Sequence, residues 1–565
     1  MSQIKEVIKE NRKAIALYII TGLLIAFLTN YKIRYFQKII DEFNDHTIRV
    51  DTILVYGIVL ISFYLLNYFD EYPKQKLKNG IYLDFKIQAL KKVSKIQYIE
   101  YQSLGTGKLT QSIENGANAG KGIIFEYWLC VCRQLIPTIL FSIFFIWKLN
   151  PFITYLILLG YVFVFIVTNL LLKLLYSIKE KILFNEEMMN HYLVRGFMEM
   201  VTFRMSCRFP YEIEKAVNSK NEIIKSKVKM NMIHEAFFTI FAILVAFLNV
   251  GILIYAWLNQ SVSIGTSVAL ISLVENAYTP IAIFNVLTVQ YKLDKATYCR
   301  FEKILNMKED EQLENGNIVE VEQGNIKITN LCFQYNNKKV IDNLNAEIRK
   351  GEKIALVGSS GSGKTTLIKL LLGLLKYDSG SIQIDGSELR DISLESLYKN
   401  VSYISQEAPV FDGTVRENIV HNQNQNDGYI YEILKKMKLN DSVSKMDSGI
   451  DTLIGERGMI LSGGERQRLA LARLWFQKNN IVILDEATSA LDNITEEAVM
   501  NEVMNLLSEK TVIAIAHRLT SIINFDRIIV FSDGHIVEQG TFNELLKNGM
   551  YFSDLYHKSM QRTIL

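Results

Sequence analysis

A chain of 565 residues, 49% of them apolar and only 21% charged, has room for several soluble domains but reads better as fewer domains with a membrane part. Its net charge of +3 is small and no basic block stands out, which argues against a nucleic-acid partner. The five cysteines, at 130, 132, 207, 299 and 332, are too irregularly spaced for a disulfide framework or a zinc site.

Residues 1–13 are polar and basic, with Ile4, Val7 and Ile8 on one side, a pattern that suits a helix lying on a membrane surface. Six apolar stretches follow, at 14–30, 53–69, 128–147, 152–175, 236–258 and 267–289. Each is close to the roughly 20 residues that carry a helix across a bilayer. The first runs on to Asn30-Tyr31-Lys32 without a small-residue cleavage site, so no removable leader is expected. Lysine and arginine crowd the segments 1–13, 70–127 and 173–235 and are nearly missing from 148–151 and 259–266. That asymmetry predicts both termini in the cytoplasm of a chain spanning the plasma membrane several times. The connections 70–127 and 173–235 keep helical spacing of apolar residues, as at Leu77, Ile81 and Phe85, so the membrane helices should continue well into the cytoplasm. Pro137 and Pro280 are expected to kink their helices. Span six carries Glu275 and Asn276, and span five carries Asn249. Polar groups at such depth face a cavity or another helix, and Glu275 is the foremost substrate-contact candidate, against an interhelical hydrogen bond or a place close to the outer interface.

Leu293–Leu305 reads as a further helix and Asn306–Gly324 as a polar, acidic linker. Short apolar strands alternating with amphipathic helices begin at Asn325, the pattern of an α/β nucleotide-binding domain. The expected organisation is a transmembrane domain over 1–305, a linker over 306–324 and a nucleotide-binding domain over 325–565.

The second domain opens with an apolar strand, Lys353–Val357, entering Gly358-Ser359-Ser360-Gly361-Ser362-Gly363-Lys364-Thr365-Thr366. Glycines at this spacing let successive backbone N–H groups point at phosphate oxygens, Lys364 reaches the β- and γ-phosphates, and the Thr365 hydroxyl can ligate Mg²⁺. An amphipathic run, Thr366–Leu374, leaves the loop, so a helix N-terminus faces the anion. ATP is therefore the expected ligand. A second anion-binding turn follows at Leu461-Ser462-Gly463-Gly464-Glu465-Arg466-Gln467. The buried strand Ile481–Leu484 ends in Asp485, placed to hold Mg²⁺, and Glu486, placed to polarise an attacking water. The strand Thr511–Ala516 delivers His517 to the same sheet edge, where it either contacts the γ-phosphate or serves the structure. Tyr335, just ahead of the cradle, is a candidate to stack on adenine.

Together these residues resemble an ATP-binding cassette (ABC) half-transporter of the exporter fold. The fold class this implies is a membrane α-helical domain of six helices with long cytoplasmic extensions, joined to an α/β P-loop ATPase domain. The resemblance is carried by Tyr335, the Walker A stretch Gly358–Thr366, Gln406 of the Q-loop, the run Phe411–Ile419, the X-loop Gly455–Gly458, the signature Leu461–Gln467, Asp485 and Glu486, the D-loop Ser489–Asp492, and His517. It implies that Lys364, Gln406, Glu486 and His517 carry hydrolysis, that Thr365, Gln406 and Asp485 hold the metal, and that Ser462, Gly463 and Gly464 close on the ATP of a partner chain. Every catalytic position holds an active residue type, which favours a homodimer over a heterodimer. The bends near 105–122 and 195–215 would be coupling helices. The implied function is ATP-driven alternating access that exports a hydrophobic or amphipathic drug, lipid or peptide. A metal-chelate importer on the exporter fold and an ATP-gated channel or regulatory subunit are the alternatives.

Overall fold

The computed structural model describes the chain apart from residues 1, 105, 259–261, 337, 421–424, 456, 457, 459, 517, 520 and 565. Of 2, 103, 106–108, 161, 164, 165, 167–173, 281, 282, 285 and 559–564 only the backbone is described. His517 and the X-loop residues Glu456 and Arg457 thus lie outside the described residues. The chain divides into two units: Met1–Ser94 with Leu104–Met307, and Lys95–Ser103 with Lys308–Leu565.

The first unit is helical. Its elements are α1 (Ser2–Glu10), α2 (Arg12–Asn44), α3 (Val50–Val93), then, after α4 (Tyr98–Leu104), α5 (Thr106–Lys121), α6 (Ile136–Leu149), α7 (Pro151–Met198), α8 (Met200–Met205), α9 (Phe209–Leu258) and α10 (Ile264–Leu305). Among the described residues, α2, α3, the continuous run Leu109–Leu149 and α9 are long and apolar enough to cross a membrane. The remaining two expected spans fall within α7 and α10, whose middles include side chains outside the description. α3, α7, α9 and α10 have 44, 48, 50 and 42 residues. At about 1.5 Å per residue each is at least twice as long as a hydrocarbon core about 30 Å thick, so one end must project from it. Leu293–Leu305 is accordingly not a separate helix but the end of α10, because nothing between residues 289 and 293 interrupts the helical hydrogen bonding.

Between α5 and α6 the chain stays helical, but the turns widen to π-type over Gly122–Leu129 and Val131–Leu135. That widening carries Arg133 to the inner faces of α2 and α3. Its guanidinium pairs with Asp70, which also accepts the Thr21 hydroxyl at 2.5 Å. Arg133 Nε donates to the Tyr18 carbonyl at 3.0 Å, and the guanidinium stacks 4.0 Å from the Tyr18 ring centroid. Gly22 makes the room, since a Cβ there would lie 2.0 Å from Arg133 Cγ.

Two further expectations for this unit need correction. α1 does not simply rest on a surface: Val7 is wholly buried in one cluster with Leu77, Ile81 and Phe85, and Asn11 Nδ2 donates to Asp84 at 2.7 Å. Residues 106–121 form one straight helix in the membrane unit, not a bend. The break comes earlier, where Lys95–Ser103 joins the second unit. There Ile96 forms a β-bridge with Glu309, Asp310 N donates to Lys95 O at 2.7 Å, and Lys95 pairs with Glu314 at 2.8 Å. Tyr98 packs against that unit's core, with the Lys369 ammonium 5.6 Å from its ring centroid. The second bend does fall inside 195–215, at Glu199 and at Ser206–Arg208. Glu212, buried at its inner side, takes guanidinium groups from both Arg195 and Arg208, and both stack 5.7 Å from Phe203.

The second unit holds two sheets. β1 (Ile326–Tyr335), β2 (Lys338–Ile348), β4 (Ser379–Ile384) and β5 (Ser387–Glu388) form an antiparallel sheet in the order β2-β1-β4-β5. β3 (Lys353–Gly358), β6 (Val401–Ile404), β7 (Ile481–Asp485), β8 (Thr511–Ile515), β9 (Arg527–Ser532) and β10 (His535–Gly540) form the other, in the order β10-β9-β3-β8-β7-β6. Its strands from β9 to β6 are parallel. β7 and β8 are buried at every residue, as a strand covered on both faces must be, and they read as unbroken apolar runs, ahead of Asp485 in β7 and after Thr511 in β8. Ligands of such sheets bind beyond the carboxyl ends of the strands, which is where Gly358, Asp485 and Ile515 bring the chain.

Candidate functional site: a phosphate cradle beside two carboxylates

β3 lies between β8 and β9, so its C-terminal end meets the centre of the sheet edge. Gly358, the last residue, has φ +152°, and a Cβ there would stand 2.2 Å from the Phe531 carbonyl oxygen. No other residue fits without moving backbone. Gly363, at φ +109°, closes the loop and begins the helix Lys364–Leu371. Ser359, Ser360, Gly361 and Thr365 are exposed around a concave turn. Lys364 Nζ donates to the carbonyls of Gly358 and Ser359 at 2.8 Å each and to Ser362 Oγ at 3.3 Å, so its charge is curled over the loop. Burial lowers the Lys364 pKa, while Glu486 and Asp485 pull it the other way.

Asp485 ends β7 with 4% of its surface exposed. Burial, and then the neighbouring Glu486, hold its carboxyl above the usual carboxylate range, and the Tyr403 hydroxyl donates to its Oδ2 at 3.3 Å. Glu486 has φ +50°, a left-handed conformation that costs a non-glycine residue about 1–2 kcal/mol. Strain at this point turns the carboxylate off the strand line, towards Gln406 Nε2, which donates to Glu486 Oε2 at 2.6 Å. Beside Glu486 opens a cavity of about 420 Å³ lined in part by Gln406, Thr488, Ser489, Glu496 and Arg518. Lys364, Gln406, Asp485 and Glu486 thus come together from loops far apart in sequence.

The signature residues lie elsewhere. Ser462 caps the helix Gly463–Ala472: its Oγ accepts from Glu465 N, and Ser462 N donates to Glu465 Oε2 at 2.8 Å. A Cβ on Gly464 would lie 3.1 Å from the Ala490 carbonyl oxygen. Among the described residues, the hydrogen bonds of 462–464 all stay within the helix Gly463–Ala472, and none reaches 358–366. Tyr335 ends β1 half-exposed, its ring edge-on to Phe333 at 4.7 Å. In the membrane unit, Glu275 is exposed, Asn276 half-buried, and Asn249 half-buried with an Oδ1 that is enclosed and unpartnered among the described residues.

Sequence reasoning missed two buried connectors. Gln467 Nε2 donates to Ser489 Oγ at 3.0 Å and to the Gln406 carbonyl at 3.5 Å, and its Oε1 accepts from Ala490 N at 2.8 Å. Glu496, 5% exposed, accepts from Thr488 Oγ1 at 2.8 Å and from Arg518 Nη1 at 2.6 Å. The segment that follows Glu486 is therefore held from both sides. Gln467 was visible inside the signature, but Glu496 reads in sequence only as an acid in the first turn of a helix.

Residues 341–489 match the family model described as ABC transporter. The fold has a counterpart in the structure of a bacterial Atm1-family ABC exporter with ATP bound, with a TM-score of 0.81 over 98% of both chains at 21% identity. Residues 341–489 thus form an ABC transporter ATPase domain, in a chain with the fold of an ABC exporter. Among curated proteins, the chain is 36% identical over 302 residues to the uncharacterized ABC transporter ATP-binding protein YwjA of Bacillus subtilis, covering 53% of this chain and 52% of that one. It is 41% identical over 229 residues to a mitochondrial iron-sulfur clusters transporter of Debaryomyces hansenii, covering 40% of this chain and 33% of that one. The chain thus spans from about a third to about half of the length of these curated relatives. Its ATPase domain implies ATP binding and hydrolysis.

Proposed function

We propose that the chain pairs with a second copy of itself and uses ATP to export a hydrophobic or amphipathic compound across the plasma membrane by alternating access, with both termini and the ATPase domain in the cytoplasm. The observation that carries this reading is the convergence of Lys364, Gln406, Asp485 and Glu486 at one sheet edge while Ser462–Gly464 makes no hydrogen bond to the cradle among the described residues. A cradle without its closing loop and a closing loop without a cradle fit together in two copies.

In this reading the amides of 359–366 and the Lys364 ammonium bind the β- and γ-phosphates, and Tyr335 carries the adenine. Glu486, oriented by Gln406, accepts the hydrogen bond of the attacking water, and His517 contacts the γ-phosphate. Thr365, Gln406 and Asp485 offer a hydroxyl, an amide oxygen and a carboxylate. Such an all-oxygen set fits Mg²⁺, which when bound would neutralise charge on the phosphates. Gln406 spends its NH₂ on Glu486, leaving Oε1 for that role. Loss of the γ-phosphate removes the contacts that favour the closed pair, and that difference resets the cycle. Glu275, Asn276 and Asn249 are the proposed substrate contacts.

The test is ATP hydrolysis by the purified chain in lipid nanodiscs, wild type beside Glu486→Gln, with amphipathic compounds, peptides and metal chelates offered in turn. Activity that is lost in Glu486→Gln and stimulated by one class supports a self-sufficient pump. A hydrolytically silent wild type overturns it.

A further inference from the structure

The six expected spans contain three charged side chains: Arg133, Lys173 and Glu275. Arg133 is neutralised by Asp70. Lys173 stands two residues from the inner end of its span. Glu275 is different. It lies eight residues into span six, about 12 Å deep in a core about 30 Å thick. Its carboxylate makes no hydrogen bond or ion pair among the described residues.

The direction it faces is set by α10. Leu270, Leu273, Val274, Ala277 and Tyr278 are buried, and Tyr278 locks this stripe to α7 by donating to the Ile157 carbonyl at 3.1 Å. Glu275, Thr279, Ile283 and Val286 form the opposite, exposed stripe, at spacings of 4, 4 and 3 residues. A carboxylate turned to lipid at this depth is costly. This stripe therefore faces water or a second copy of the chain, and no lysine or arginine precedes Lys292 on α10. Asn249, about 14 Å deep on α9, adds another acceptor at a similar level.

We propose that Glu275 makes the transmembrane site selective for organic cations: compounds with an apolar body and a permanent or protonated positive charge. The proposal rests on the transporter reading for its context. Two copies of the chain would place two carboxylates around one cavity, and an apolar cation supplies both the missing counter-charge and a body that the Ile283 and Val286 surfaces accept.

The test uses tetraphenylphosphonium and tetraphenylborate, ions of nearly the same shape and opposite charge. Their binding to the full chain in nanodiscs is measured by equilibrium dialysis, with empty nanodiscs subtracted. The expected result is preference for the cation, with the dissociation constant raised at least roughly tenfold by Glu275→Gln and largely restored by Glu275→Asp. Absent cation binding, equal binding of the two ions, or cation binding unchanged in Glu275→Gln overturns the assignment. ATP hydrolysis is followed on the same discs. Selective cation binding by a wild type that does not hydrolyse ATP upholds the cation site and overturns only the pump.

Discussion

The Asp70–Arg133 pair makes a prediction whose sign depends on which partner is removed. Arg133 is 13% and Asp70 7% exposed at the side chain, so both charges are nearly out of solvent. Two unit charges about 4 Å apart attract by about 4 kcal/mol at an effective dielectric constant near 20. Desolvation consumes much of that gain, which leaves the pair close to neutral against an apolar replacement. A single substitution is another matter. Asp70→Asn strands a buried guanidinium whose remaining partners are the Tyr18 carbonyl and the Tyr18 ring. The cost should be about 3–5 kcal/mol. Arg133→Met leaves the Asp70 carboxylate with the Thr21 hydroxyl and should cost a similar amount. The double variant Asp70→Leu/Arg133→Met removes both charges and should recover most of the loss. The assay is the thermal midpoint of the purified chain in nanodiscs. A double variant as unstable as the two single losses added together would refute the reasoning, because the polar cluster would then be a net source of stability.

Other substitutions address the ATP site and the cytoplasmic helices. Gln467→Ala removes hydrogen bonds to Ser489 and Ala490. It should lower kcat for ATP roughly tenfold with KM changed by less than about twofold, since the cradle itself is untouched. A raised KM with unchanged kcat in steady-state hydrolysis would count against a positioning role. Gly361→Ala places a Cβ in open space at φ +83° and should cost nucleotide affinity only the left-handed penalty of about 1–2 kcal/mol. Gly358→Ala meets the Phe531 carbonyl and should abolish nucleotide binding, read by fluorescent-nucleotide titration of both variants. Asp294, five residues beyond the expected end of span six, is buried against Gly122, and its carboxyl is pushed up to about 6 by that burial, helped by Glu126 and opposed by Gln290, Lys179 and Lys121. The folded chain therefore holds this proton more tightly than the unfolded one. Stability should fall by about 3 kcal/mol as pH rises from about 4 through about 6, and Asp294→Asn should flatten that slope and raise the thermal midpoint at pH 7.5.

The candidate ATP site was legible because its spacing is local. The run Gly358–Thr366 declares a phosphate loop within nine residues, although the clash that demands glycine at 358 comes from the distant Phe531, and an apolar strand ending in Asp485-Glu486 announces both the sheet and its functional edge. What the sequence hid depends on partners distant in the chain. Arg133 looked like a lone charge in an apolar run because Asp70 is 63 residues away. Gln467 reaches the D-loop and Glu496 reaches Thr488 just ahead of it, and no periodicity marks either contact. The first bend was misplaced because Gly105 and Gly107 look like turn residues, whereas the chain leaves its helix ten residues earlier through backbone pairing with 308–310. The long helical extensions were expected, and only α10 was cut short, at Leu293–Leu305, because a change from apolar to charged residues marks the edge of the bilayer, not the end of hydrogen bonding.

The two bends of the membrane unit now pose different physical problems. The first gives Ile96 and Tyr98 to the ATPase unit, where both are at least partly buried. The second holds its apolar side chains outward: Phe197 is 79%, Met198 75%, Val201 68% and Met205 83% exposed. Exposed apolar side chains gathered at one bend in this way mark a site of association. The rigidity of the clamp matters as much as the patch. Buried charges fix this bend between α7 and α9, helices of 48 and 50 residues. In the proposed transport cycle a tip fixed in this way would serve as a coupling element. That role accounts for buried charge beside exposed Phe197 and Met205, a combination that neither stability nor solubility alone would favour.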